Sequence, residues 1–196
     1  ATFHDDSPTC DSTTGPQNLD ERLTSEYALA GLNEGFADFI AFSALGTTNV
    51  LGSYEFTGDD RSLTRSAFDF RGIGSECVSF YCLGTLFARS LYDAYVSLGN
   101  DPDDEDARGA FSREIVMALA ATQETMAARD ELPPADPAAS ECDLRLEISS
   151  SYDAQVTAAF LAAFLDNLTG EIQAQVCDAA ASNFGSAFPA NAGVCP

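Results

Sequence analysis

One apolar stretch, running from Leu29 to Leu45, constrains this chain more than any other feature, because it carries two carboxylates, Glu34 and Asp38, four residues apart. No proline interrupts it, and Leu29, Leu32, Phe36, Phe39, Ile40, Phe42 and Leu45 fall on all sides of a helical projection. A helix that is apolar most of the way round is buried. The four-residue spacing stacks Glu34 and Asp38 on one face, about a turn apart. Acids withdrawn from water are costly unless a cation compensates them. Two compensations are open: arginines from elsewhere in the fold, or a metal ion and a histidine bound to it.

The rest of the chain reads as helices joined by loops. Residues 1–19, rich in Asp, Ser, Thr, Pro and Gly, form an N-terminal loop. A first helix is expected from about Asp20 to Leu45, interrupted near Gly31 and stopped by Gly46. Residues 47–75 have no sustained helical period and read as an extended loop. A second helix spans about Val78 to Leu98, with Phe80, Leu83, Phe87, Leu91, Ala94 and Leu98 as its apolar stripe. Asp101-Pro102-Asp103-Asp104-Glu105-Asp106 opens a third, from about Asp104 to Ala128, where acids in the first turn suit the helix dipole. Its inner stripe is Ala110/Phe111, Ile115, Leu119 and Thr122. Pro133, Pro134 and Pro137 make 130–143 a loop. A fourth helix covers about Ser150 to Leu168, with Val156, Phe160, Ala163 and Phe164 inward, and a fifth runs to about Ala181. The expected fold class is all-α: an irregular bundle of about five helices with long loops, in a single domain over 1–196 with a helical part over 20–129 and C-terminal helices and tail over 144–196.

Charge and cysteines bound the function. The chain has 31 acidic and 9 basic residues, a formal net charge of −22, and every basic residue is arginine. Such a chain repels nucleic acid and anionic membranes and suits saline or calcium-containing surroundings. No apolar run is long enough to span a membrane. Cys10, Cys77, Cys82, Cys142, Cys177 and Cys195 show no CxxC spacing, so they read as disulfide candidates in an oxidising compartment, which implies a secreted or cell-surface protein. Three bridges allow 15 connectivities. Cys177 with Cys195 is the pairing that would pin the irregular tail. Cys77 can reach Cys82 only if it precedes the helix.

Minor motifs have ordinary readings beside functional ones. Asp101–Asp106 invites calcium, but it lacks the EF-hand glycine and terminal glutamate, and helix capping explains it better. Asp59-Asp60 beside Arg61 reads as a calcium loop or a polar turn. Asn167-Leu168-Thr169 fits a glycosylation acceptor. His4, beside Asp5 and Asp6, is the single histidine of the chain.

Gly31-Leu32-Asn33-Glu34-Gly35-Phe36-Ala37-Asp38 resembles the zinc-glutamate helix of the gluzincin metallopeptidases, the thermolysin and fungalysin group. There a segment reading Asn-Glu-Gly/Ser-x-Ser/Ala-Asp supplies the third zinc ligand and an Asp that orients a zinc-binding histidine. The resemblance implies that Glu34 is a zinc ligand, that Asp38 is its orienting partner and that Asn33 supports them. Phe80-Tyr81-Cys82-Leu83-Gly84-Thr85-Leu86-Phe87-Ala88-Arg89-Ser90-Leu91-Tyr92-Asp93 looks like a later helix of the fungalysin group, with Gly84, Ala88, Leu91 and Asp93 in place. Tyr81 falls where that family often has histidine, which implies a weak candidate for hydrogen bonding to an oxyanion; its ordinary reading is a half-buried core tyrosine.

The HExxH helix that completes a gluzincin site is missing. Were His4 its second histidine, the base would stand at Ala1. The resemblance therefore implies the C-terminal helical lobe of a secreted zinc peptidase acting on peptides or proteins, inactive alone, with HExxH on a companion chain or upstream segment. The alternative is a non-catalytic gluzincin-like structural or interaction domain.

Overall fold

The computed structural model describes residues 25–49, 62–64, 81–128, 150–185, 188 and 195. The fold is all-α: α1 Ser25–Leu45, α2 Tyr81–Ser97, α3 Glu105–Ala128, α4 Ser150–Asp166 and α5 Gly170–Phe184. Among the described residues there is no strand, only one isolated antiparallel bridge between Asn49 and Ser62. The expected helix starts near Asp20 and Val78 lie outside the described residues.

The helix ends follow local chemistry. Gly46 takes φ 69°, and its N–H donates to the Phe42 carbonyl at 2.7 Å, which closes α1. The Asp104 carboxylate accepts from the Ala107 N–H at 3.0 Å, an N-cap for α3. Asp101 accepts from the Asp103 N–H at 2.9 Å in the preceding turn. Thus both carboxylates shape the turn, as the capping reading expects. α4 ends at Asp166, two residues early. α5 continues past Ala181 to Phe184 because Asn183 and Phe184 are buried. Leu45, expected in the buried flank, is 70% exposed because it is the last residue of α1, beyond the ring packing that covers Phe42. Ala110, offered for the α3 stripe, is exposed as well, while Phe111, Ile115, Leu119 and Thr122 face inward.

The central helix is α1, which packs against α2, α3 and α4, while α2 also carries α5. Glycines set the α1–α2 approach. A Cβ on Gly35 would stand 2.0 Å from the Gly84 carbonyl oxygen, and one on Gly84 would stand 2.2 Å from the Gly31 carbonyl oxygen. No side chain fits there, so the two backbones touch. Gly31 therefore does not interrupt α1 as expected; it belongs to the contact.

Beyond this crossing, rings fill the space between the helices. Phe42 meets Tyr92 at 5.1 Å and Tyr95 at 5.9 Å between centroids, and Phe111 of α3 meets both Phe39 (5.8 Å) and Tyr95 (5.5 Å) edge-on. Such edge contacts contribute about 0.5–1.5 kcal/mol each beyond area burial. The contacts advance together along both helices, from Gly35 and Gly84 to Phe42 and Tyr95, so α1 and α2 run parallel. A second aromatic set joins α2 to α4, where Phe87 packs on Phe160 and Phe164 at 5.4 and 5.3 Å.

Two loop features anchor to this core. Leu63 is fully buried, its N–H bonded to the Thr48 carbonyl at 2.9 Å. The Cys177–Cys195 disulfide ties the tail to a buried position on α5, the pairing expected from the tail's irregular sequence. Of the other disulfide candidates, Cys10, Cys77 and Cys142 and the side chain of Cys82 lie outside the described residues.

Gly84→Ala is expected to destabilise by at least about 3 kcal/mol, because the clash is with backbone. Gly109→Ala, on an exposed turn of α3 with open space around it, is expected to stabilise by ~0.5–1 kcal/mol. Urea unfolding followed by circular dichroism checks both. Replacing Cys177 and Cys195 together by alanine opens an 18-residue closure and is expected to lower stability by about 3 kcal/mol in the same assay.

Candidate functional site

The candidate site begins on α1. Asn33 and Glu34 are half-buried and Asp38 is only 5% exposed, one helical turn beyond Glu34. Both carboxylates are engaged in interactions, so neither is a free acid in the interior. Gly35, directly after Glu34, is the residue pressed against Gly84. The α1–α2 crossing therefore fixes the rotation of α1 about its axis at the very turn that carries the acids.

Tyr81 opens α2, three residues before Gly84. Its side chain lies outside the described residues, and so does the oxyanion role expected for it. Asp59-Asp60 and His4 lie outside them too. Among the described residues, no three His, Cys, Asp or Glu side chains come together as a metal site. The described residues thus offer one carboxylate and one neighbouring acid, not a complete ligand set. Among the described residues, no helix is long and apolar enough to cross a membrane.

A second polar centre, not foreseen from the sequence, lies where the end of α1 meets the start of α3. Arg108 is 6% exposed. Its Nε donates to the Ser43 carbonyl at 2.9 Å and its Nη1 donates to the Pro102 carbonyl. The Ser43 hydroxyl donates to the Arg108 carbonyl at 3.2 Å, and the Ser112 hydroxyl donates to Ser43 Oγ at 2.6 Å. The guanidinium lies at the negative end of the α1 dipole, where a cation is stabilising. Gly46 belongs here as well, since a Cβ on it would meet Arg108 Nη1 at 3.2 Å. The sequence did hold a signal: a basic residue in the acidic opening of a helix works against that helix's own dipole, so its charge serves another element.

Tyr95, fully buried, completes this centre by donating its hydroxyl to the Asp101 carbonyl at 2.7 Å. Burial raises its phenol pKa above the usual value, with the Asp104 carboxylate adding to the rise and Arg108 opposing it. Tyr92 is raised too, by burial and then by Asp93.

Two further interhelical clasps are polar. Asn183 of α5 donates to Ser90 Oγ and to Asp93 Oδ2, both at 3.1 Å, while Asp93 also faces Arg89 at 3.6 Å. Asn167 donates to Thr125 Oγ1 at 2.9 Å and to the Ala163 carbonyl at 2.8 Å. Both contacts hold the Asn167 amide in the folded chain, part-buried between α3 and α4. Thr157 is the exception among the described residues: its hydroxyl is buried and without a hydrogen-bond partner.

Comparison with protein-family models, curated proteins and solved structures finds no match.

The tyrosines fix a sign for the pH response. A phenol whose folded pKa is raised keeps its proton longer in the native state, so its contribution is complete below the unfolded pKa near 10 and is lost as pH rises through the folded value. Stability is expected to fall as pH rises above about 10, and Tyr95→Phe is expected to flatten part of that fall while lowering stability near neutrality by about 1 kcal/mol for the lost hydrogen bond. Urea midpoints across pH 8 to 11 check both.

Proposed function

We propose that this chain is the helical lobe of a secreted zinc metallopeptidase, contributing Glu34 as one metal ligand to a site whose histidines come from an HExxH segment outside it. The observation that carries this reading is the placement of Asp38, an acid almost fully withdrawn from water on the central helix, one turn from half-buried Glu34. Asp38 is engaged within this chain, and in the gluzincin pattern an acid at this spacing also holds a zinc-binding imidazole. The all-α lobe also agrees with that pattern.

The reading requires two imidazoles, whereas the chain has one histidine. One carboxylate and its neighbour do not make a three-ligand zinc site.

A second reading has its own support. The glycines that carry much of the resemblance, Gly35 and Gly84, have a sufficient reason in packing alone, since neither admits a Cβ. A non-catalytic gluzincin-like domain, kept for its scaffold, accounts for them without any metal.

The natural protein, purified with whatever chains accompany it, separates the two readings. The peptidase reading expects about one zinc per assembly by elemental analysis, loss of that zinc in Glu34→Gln, and a 10–100-fold weaker metal affinity in Asp38→Asn. Absence of zinc from the assembly, or zinc unchanged by Glu34→Gln, would leave the scaffold reading standing.

A further inference from the structure

We infer that the native state of this chain is conditional on ionic strength: diffuse screening by ordinary salt, rather than a built cation site, holds its surface together. The net charge of −22 is spread over 10340 Å² of surface. That leaves about 470 Å² per uncompensated charge, a mean spacing of about 22 Å, which lies between the Debye length of about 30 Å in 0.01 M salt and that of about 10 Å in 0.1 M. At the lower concentration every excess charge feels its neighbours; at the higher one it does not. Self-repulsion of this kind opposes the compact state.

The described surface sharpens the point. Asp101, Asp103, Asp104, Glu105 and Asp106 are all exposed within six residues. Arg108, the described basic residue nearest in sequence, is buried and donates to backbone carbonyls. Arg89 faces Asp93 on its own helix. None of the five helices has a basic residue in its last turn, so no helix answers its own C-terminal dipole with a side-chain cation. Among the described residues no ion pair reaches this acidic run and no three ligating side chains group there, which fits compensation by mobile cations from solvent rather than sited binding.

Thermal unfolding of the full chain, followed by circular dichroism at fixed pH in NaCl from about 5 to 300 mM, tests this directly. The midpoint is expected to climb by at least about 5 °C between 10 and 100 mM, to level off above that, and to respond equally to KCl. The triple variant Asp103→Asn, Glu124→Gln, Asp178→Asn, which removes exposed charge without touching a cap or the core, is expected to melt higher at 10 mM and to show a shallower salt slope. A midpoint indifferent to salt overturns the inference. So does a saturable rise with sub-millimolar CaCl2 in 150 mM NaCl, which would mean a specific site. A rise confined to molar salt and larger for sulfate than for chloride also overturns it, since that reports burial of apolar surface.

Discussion

The close approach of α1 and α2 at glycine is the constraint from which the rest of the structure follows. With the backbones in contact at Gly31, Gly35 and Gly84, neither helix can rotate or slide without a steric penalty. Every side chain downstream inherits its direction from that contact. The Phe39, Phe42, Tyr92, Tyr95 and Phe111 rings interlock further along the two helices, where side chains rather than backbones meet. The acids of α1 are oriented by the same contact, since Gly35 directly follows Glu34.

At the C-terminal end of α1, the interaction that holds is polar. Arg108 gives α1 the C-terminal cation that its own sequence lacks, and it recruits Pro102 and Ser43 into the same knot. Burying a guanidinium against carbonyls alone is acceptable where the acceptors are the orphan groups of a helix end. The middle and the C-terminal end of α1 are thus fixed by opposite means, steric exclusion at one and charge-assisted hydrogen bonding at the other.

Much of this fold was legible in the sequence because helical periodicity reports burial directly: Leu83, Phe87, Leu91 and Ala94 on α2, and Phe111, Ile115, Leu119 and Thr122 on α3, all face inward. Gly31 misled because a glycine in a helix reads as a break, whereas here it admits a second backbone, and no pattern within one segment reveals what lies against it. Leu63 and Arg108 escaped for a related reason. Each is explained by a partner distant in the sequence, and spacing rules reach only a turn or two. The candidate site was legible to the extent that it is local, as the Glu34–Asp38 pair is, and not where its completion depends on residues remote from α1.

The parallel arrangement of α1 and α2 has a kinetic consequence. Two antiparallel helices can zip up from a short connection, but these two must find each other across about fifty residues of chain before Gly35 and Gly84 meet, and the entropy of closing that loop is spent before any ring contact returns it. For all its helical content, this chain has the contact topology of a slower folder than a simple up-and-down bundle.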